Sequence, residues 1–407
     1  MDDREFMAQA MKRAIELAEL GKGFTNPNPL VGAVIARGGK IIAEGYHHKY
    51  GDLHAERDAL KNARENGVDV KGAEIFVTLE PCCHFGKQPP CTQAIIDSGI
   101  RKVVIGSRDP NPLVDGKGVK ILKDAGIEVV QDFMKDECDA LNSVFFHYIK
   151  SKIPYVIVKY AMTADGETAT SAGNSKWITG ELARKNVHRT RARVAAVMAG
   201  IRTAKADDPL LNVRLEEKSP DGREFKQPVR VIADANVELA AESRLAKTAS
   251  QIPLWIFCRK NLDEDARKRR SALEKSGVKF FAAKEKNSHL DLEDILKTLG
   301  ENGIDSVLVE SGGGLNAGLF FSDGKSLVDE VYVYIAPKIF GNDGEKIFSP
   351  VRGCGISEIS DCVRLSKPEI QVFGDDILLK YKVIKARHSE LENLSSRFVS
   401  ESAKKRC

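Results

Sequence analysis

No stretch of this chain is long and apolar enough to span a bilayer, so a transmembrane protein is not expected. The first twenty residues also lack the acid-free, basic character of a secretory or organellar leader. Asp2, Asp3, Glu5, Glu16 and Glu19 fall there, on an amphipathic pattern. A mature first helix and a cytoplasmic protein are the expectation. Charge of one sign is missing too: 62 basic residues stand against 58 acidic ones, a formal net charge of +4. That imbalance is too small for a nucleic-acid partner without a local basic stripe. Residues 82–110 show neither a charge excess nor an aromatic run that could line a groove for single strands. Cysteines are few and scattered, at 82, 83, 91, 138, 258, 354, 362 and 407. In so long a chain this spacing argues against a disulfide framework. Only the first three cluster.

What the chain has is enough apolar residue, 42% over 407 positions, for two or three cores at roughly 150 residues per domain. Residues 6–20 carry apolar positions at helical spacing. Strands are expected at 30–35 and 40–44, around a Gly38-Gly39 turn, then at 74–79, 102–106 and 128–130. Helices are expected at 54–65, 92–98 and 118–125. Such alternation implies a mostly parallel sheet covered by helices, an α/β fold. A second α/β series starts near Pro154, with strands at 155–160, 194–200, 229–233, 254–258 and 306–310 and a helix at 180–193. Late strands at 331–336 and 377–383 are expected to run antiparallel. The boundary is expected at 148–153, which divides the chain into 1–149 and 150–385. The charged end, 386–407, reads as a tail.

The most informative residues are His54-Ala55-Glu56, followed by Pro81-Cys82 and then Cys91. One histidine and two cysteines offer three zinc ligands, which leaves a fourth tetrahedral position for water, as in catalytic zinc sites. Histidine-x-glutamate with a later proline-cysteine is the pattern of nucleobase-type zinc deaminases, whose glutamate is not a ligand. At i+2, Glu56 lies on another side of a helix from His54, which suits a proton carrier better than a fourth ligand. Two thiolates and a neutral imidazole cancel the charge of zinc, so its water needs a base beside it. Glu56 is expected to take the water's proton and pass protons to ring nitrogen and leaving ammonia. A closed knot using Cys83 or His84 would leave Glu56 without a task. Cys83 reads instead as a buried bystander thiol and His84 as a pocket wall or substrate contact. One oddity is the spacing: deaminases of this type carry C-x-x-C, whereas nine positions separate Cys82 from Cys91.

Pro81-Cys82-Cys83-His84-Phe85-Gly86-Lys87-Gln88-Pro89-Pro90-Cys91 resembles the E-P-C-x-H-x-G-x-x-P-P-C motif of the RibD family, bifunctional riboflavin-biosynthesis proteins with the same wide spacing. Cys83 stands where that family commonly has serine, and Gln88 where it has threonine. Neither removes a ligand. Asn26-Pro27-Asn28-Pro29, Asp109-Pro110-Asn111-Pro112, residues 159–166, Ser175-Lys176-Trp177, Asp207-Asp208-Pro209 and 310–318 extend the resemblance over about 5–383. It implies a cytidine-deaminase-like first half and a dihydrofolate-reductase-like second half. The first would deaminate 2,5-diamino-6-ribosylamino-4(3H)-pyrimidinone 5′-phosphate, with His54, Cys82 and Cys91 on zinc and Glu56 carrying protons. The second would reduce the ribosyl group to ribityl with NADPH. The partner is then a small pyrimidine ribosyl phosphate, and such reductases often pair into homo-oligomers.

In the second half, residues 306–310 form an apolar run into Ser311-Gly312-Gly313-Gly314-Leu315-Asn316-Ala317-Gly318. By pattern alone this is either a phosphate cradle at a helix start or a glycine turn without function. The resemblance makes Gly312, Gly313, Gly314, Leu315, Asn316, Ala317 and Gly318 cofactor contacts, with Ala161, Trp177, Thr203 and Asp207. Without it, Trp177 reads as a core aromatic. Ser175, Arg191, Leu211, Arg214 and Glu310 are implied as substrate positions; a guanidinium fork suits a sugar phosphate. No general acid for the reduction is evident from pattern.

Overall fold

The computed structural model describes residues 2–85, 88–219, 221–342, 344, 347–353 and 355–385. The charged segment 386–407 lies outside them. Helix α1 (Asp3–Glu19) leads to the hairpin β1 (Gly32–Arg37) and β2 (Lys40–Tyr46), then to α2 (Ala55–Glu65) and β3 (Glu74–Leu79). Next come α3 (Cys91–Asp97), β4 (Lys102–Ser107), α4 (Lys117–Asp124) and β5 (Glu128–Val130). These five strands form one sheet in the order β2-β1-β3-β4-β5. It is mixed rather than mostly parallel: β1 is antiparallel to β2 and β3, and β3-β4-β5 are parallel. The reason is the Gly38-Gly39 hairpin, which reverses the chain once. The α2 crossover then places β3 beside β1, running in the same direction as β2.

Alternation along these strands fills two cores. Ala33, Ile35, Ile75 and Val77 face one cluster with Ala55 and Ala59 of α2, while Val34, Ala36 and Phe76 face another with Phe6, Met11 and Leu17 of α1. With both faces covered, β1 and β3 read as near-continuous apolar runs. Two short helices were not evident from the pattern, α5 (Lys135–Leu141) and α6 (Ser143–Ser151). They lead into the second sheet.

That sheet contains β6 (Tyr155–Thr163), β7 (Ala196–Gly200), β8 (Val229–Ala233), β9 (Leu254–Arg259) and β10 (Lys279–Ala283). It is completed by β13 (Ser306–Val309), β14 (Glu330–Ala336), β15 (Glu369–Phe373) and β16 (Asp376–Lys382). A small hairpin, β11 (Glu285–Lys286) with β12 (His289–Leu290), stands apart. The order is β10-β9-β8-β7-β13-β6-β14-β16-β15. The expectation for the late strands needs correction: β14 is parallel to β6, and only β16 and β15 run antiparallel. Six helices accompany the sheet: α7 (Glu181–Arg191), α8 (Ile201–Asp207), α9 (Arg244–Lys247), α10 (Glu264–Lys275), α11 (Leu292–Glu301) and α12 (Gly313–Phe320). Again the two faces divide by alternation, Tyr155 and Ile157 to one cluster, Val156 and Val158 to the other.

Polar contacts between loops and helices are among those that join the two halves. Asn26 donates to Asp305 at 2.7 Å, and the Tyr148 hydroxyl donates to the Gly300 carbonyl at 2.9 Å. No helix among the described residues is long and apolar enough to cross a membrane.

Candidate active sites

Three elements of the first sheet converge. His54 is the residue before α2, in extended backbone; Cys82 follows the end of β3; Cys91 opens α3. The His54 Nδ1 atom lies 3.4 Å from each of the two sulfurs, and the three donor atoms lie within 4.8 Å of one another. Bonds of about 2.3 Å to sulfur and about 2.0 Å to nitrogen at a tetrahedral angle put such donors roughly 3.5 Å apart. The donor set therefore fits zinc in both chemistry and spacing. Glu56 is not one of the grouped donors, although its side chain is only 3% exposed. Burial raises its pKa, and the Cys82 thiolate adds to that. A carboxyl that takes up protons readily, beside three metal donors, is the arrangement a proton carrier needs.

The sulfurs are held as an unequal pair. The Cys91 S–H, together with His54, holds Cys82 as the thiolate, its pKa pushed down to about 4. Its partner Cys91 is pushed up by that thiolate and by burial. The loop carrying Cys82 is fixed from below. Buried Glu80 accepts from the Gly116 and Val119 amides at 3.1 and 3.2 Å. A Cβ at Gly118 would sit 2.3 Å from the Pro81 carbonyl, so only glycine lets α4 approach this closely. Cys83 lies apart from the donor group, half-buried rather than buried, with its sulfur 3.5 Å from the Leu113 carbonyl. His84 Nδ1 is buried without a hydrogen bond. His47 packs edge-on against the His54 ring at 5.4 Å, so it is more than a polar residue after a strand.

The second site lies at the carboxyl ends of β7 and β13, beside the middle of β6, where open α/β sheets bind ligands. Glu310, the residue after β13, accepts both Nε and Nη2 of Arg191, at 2.6 and 3.1 Å. Lys159 lies 3.7 Å away. Burial works against the carboxylate, but Arg191 and Lys159 outweigh it and hold the pKa near 2. Burial pulls Lys159 down, against the pull of Glu310. Sequence reasoning gave Lys159 no role. The register makes it: β6 pairs Val158 with Val309 of β13, so the residues just beyond, Lys159 and Glu310, become neighbours.

Around this pair stand His188, Arg191 and Arg214. His188 was also missed. Burial and then Arg191 push its pKa down to about 4. Its Nδ1 lies 3.1 Å from the Asn212 carbonyl, which also accepts Arg191 Nη1 at 2.9 Å. Arg214 is lowered by burial and then by Arg191, a sign of like charges held together. Leu211 turns its side chain into the core, 3% exposed, with backbone at φ 49°.

The glycine segment opens α12 and is joined to α8 by the Gly312 amide, which donates to the Thr203 hydroxyl at 3.1 Å. Ser175 donates to Asp207 at 3.2 Å. A Cβ at Gly314 would meet nothing within 4 Å, so the helix start is open backbone that a diphosphate can approach. Gly313 is held for a different reason: a Cβ there would sit 2.5 Å from the Ser349 carbonyl. Asn316 is wholly buried and donates to the Pro350 carbonyl at 2.8 Å, while Leu315 packs against the core. A Cβ at Gly318 would lie 2.9 Å from Leu292, and Ala317 lies near Gly353. These four positions support the loop. Trp177 is 67% exposed, which rules out a core aromatic, and the Arg184 guanidinium lies 4.5 Å over its ring. Ala161 lies on β6, paired with Tyr334 of β14.

Fold and sites together define a zinc-deaminase half, of the cytidine-deaminase-like class, joined to a reductase half of the dihydrofolate-reductase-like class. Comparison with known proteins agrees. Residues 4–107 match the family model of the cytidine and deoxycytidylate deaminase zinc-binding region, and residues 154–379 match the RibD C-terminal domain. The chain is 47% identical over 374 residues to the riboflavin biosynthesis protein RibD of Actinobacillus pleuropneumoniae, covering 92% of this chain and 94% of that one. It is 37% identical to the Escherichia coli RibD, over 93% and 99%. The solved Acinetobacter baumannii RibD superposes with a TM-score of 0.81 at 35% identity, covering 94% of this chain and all of that one. The Thermotoga maritima deaminase/reductase gives 0.77 at 38%, covering 94% and 99%. The chain belongs to the RibD family of bifunctional riboflavin-biosynthesis enzymes.

Proposed function

We propose that residues 1–149 deaminate 2,5-diamino-6-ribosylamino-4(3H)-pyrimidinone 5′-phosphate and that residues 150–385 reduce the product's ribosyl group to ribityl with NADPH. The observation that carries the first half is the convergence of His54 Nδ1, Cys82 and Cys91, with buried Glu56 beside them but outside the donor group. His54, Cys82 and Cys91 would hold zinc, which when bound makes water acidic enough to attack a ring carbon near neutral pH. Glu56 would take a proton from the attacking water and deliver it to the ring nitrogen. It then takes the second proton, from the hydroxyl added to the ring carbon, and gives it to the leaving amine as the carbon–nitrogen bond breaks, so water and the amine exchange for a carbonyl and ammonia. His47, against His54, helps wall the ring.

In the second half NADPH would supply the hydride. Gly314 offers exposed backbone at the start of α12 for its diphosphate, with Gly312 tied to Thr203 and Gly313 packed beneath it, and with Asp207, Trp177 and Ala161 around the rest; Leu315, Asn316, Ala317 and Gly318 keep that start in place. Arg191 and Arg214, with neutral His188 beside them, offer guanidinium groups for the substrate's phosphate, with the Leu211 backbone nearby and Ser175 as a further substrate position. Lys159 is the group we assign to proton delivery. Burial lowers its pKa, Glu310 orients it, and it can give a proton to the sugar oxygen as the carbon beneath is reduced. We place the enzyme in the cytoplasm as a homo-oligomer. Exposed apolar residues on the outer strand, Ile370 at 63% and Val372 at 67%, support pairing through the reductase half. One experiment tests the whole reading: the diaminopyrimidinone phosphate plus NADPH, with ammonia and absorbance followed together. Ammonia first, then NADPH oxidation in equal amount, is expected. NADPH oxidation without ammonia would overturn the order of steps.

A further inference from the structure

We infer that the reductase half completes the deaminase site through Asp221 and Arg223, two positioning residues that reach across from the other half of the chain. This rests on the deaminase reading above. The contacts run in sequence from one half to the other. The Arg223 guanidinium donates to the His48 carbonyl at 2.8 Å and lies 4.2 Å over the Phe24 ring. Phe24 in turn stacks on Phe225 at 5.5 Å. Arg223 Nε also donates to Asp221 at 2.8 Å, and the Ser219 hydroxyl bonds to both Asp221 and the Arg223 carbonyl. Asp221 so held presents one oxygen 3.4 Å from the Tyr46 hydroxyl and 3.5 Å from His48 Nδ1.

From there the path enters the deaminase site. The His48 ring stacks on Tyr46 at 3.8 Å, and its Nε2 lies 3.0 Å from the Asp58 carboxylate. The same Asp58 oxygen accepts the Tyr46 amide at 3.1 Å. Asp58 is on the first turn of α2, two residues after Glu56 and four after His54. The neighbouring residue of His48 is His47, whose Nδ1 lies 2.9 Å from the Leu53 carbonyl and whose ring packs on His54. A segment of the reductase half therefore fixes the end of β2 against the start of α2, and that start carries both the metal donor and the proton carrier. Surface ion pairs alone are weak. These are different: a stacked ring, a guanidinium over an aromatic face and a half-buried carboxylate act at one point. Their effect is on geometry, and misplacement by about 1 Å at a reacting centre costs on the order of a hundredfold.

The test uses the full chain. Arg223→Ala and Asp221→Asn are compared with the unaltered protein for ammonia release, for NADPH oxidation with the aminouracil ribosyl phosphate, for zinc content and for Tm. The expected result is a loss of about tenfold in deaminase kcat with KM nearly unchanged, at equal zinc content and equal Tm, while reductase turnover stays level. Arg223→Lys, which keeps a donor for the His48 carbonyl, should recover part of that loss. Unchanged ammonia release in both variants overturns the inference. So does a parallel fall of both activities with Tm, which would reveal a merely structural contact. If the unaltered chain releases no ammonia, the deaminase reading itself fails and the inference falls with it.

Discussion

The two sites are built by opposite means. The deaminase site is assembled from side chains whose donor atoms already converge: a histidine and two sulfurs at bonding distance for one ion, with a buried carboxyl alongside. The reductase site is assembled from backbone and from charges that balance one another. Exposed backbone at Gly314 lies in the first turn of α12, and a Lys-Glu-Arg cluster sits where β13 ends beside the middle of β6. A metal demands particular atoms, so its site is fixed residue by residue. A dinucleotide is met largely by peptide groups, so its site is fixed by shape. The difference predicts that single substitutions break the first site outright and weaken the second by degrees.

The largest effect is expected at Glu56. Glu56→Ala removes the proton carrier and leaves the three donors in place, so ammonia release should fall at least 10²–10⁴-fold. Zinc measured by metal analysis should stay at one per chain, and the reductase half should keep its turnover. A variant that deaminates at the original rate would remove Glu56 from the mechanism.

Adjacent cysteines sharpen the contrast further. Cys82→Ser replaces a thiolate in the donor group and should empty the site of zinc, whereas Cys83→Ser, whose sulfur lies toward Leu113, should keep it. Equal loss in both would reassign the donors.

For the reductase half the expected effect is smaller. Lys159→Met leaves Glu310 paired with Arg191, so the cluster survives while the proton source is lost. NADPH oxidation should slow on the order of a hundredfold, with ammonia release untouched. Retained NADPH oxidation would exclude Lys159 as the donor.

What could be read from the chain follows the same division. His54, Glu56, Cys82 and Cys91 stand in a short pattern whose chemistry is written in residue types, and the donor atoms of His54, Cys82 and Cys91 lie within 4.8 Å of one another. Lys159 and His188 carried no such mark. Lys159 acquires meaning only from the pairing of Val158 with Val309, strands separated by some 150 positions. His188 lies on α7 among many basic residues, and only burial beside Arg191 distinguishes it. In the glycine segment the pattern announced a helix start, but not that Gly314 is open while Gly313 and Asn316 are buried. The mixed first sheet was hidden for a related reason. Alternating elements show that strands exist, whereas their direction depends on whether a hairpin or a crossover joins them.

The smallest predicted effect concerns pH. His188 is kept neutral in the folded chain because burial, and then Arg191, lower its pKa to about 4, while an unfolded histidine titrates near 6.5. Between these values the unfolded chain binds more protons, so stability rises with pH across that window. Acidification from about 6.5 to 4 should therefore weaken the fold, with the penalty complete below 4 and absent above 6.5. Solvent screening around this half-buried ring trims the effect to about 1 kcal/mol. Glu310 acts in the same direction lower down. Its carboxylate, held near 2 by Arg191 and Lys159 against burial, adds stability above the ordinary carboxylate range and loses it as pH falls through 2. The two windows are separable. Denaturant unfolding followed from pH 7 to 4 should show a slope that His188→Gln reduces, since glutamine has no proton to gain there, while His47 and His147, also lowered by burial, keep theirs. A slope unchanged in that variant would place the titrating group elsewhere, and with it the low-pKa neighbour of the arginine pocket.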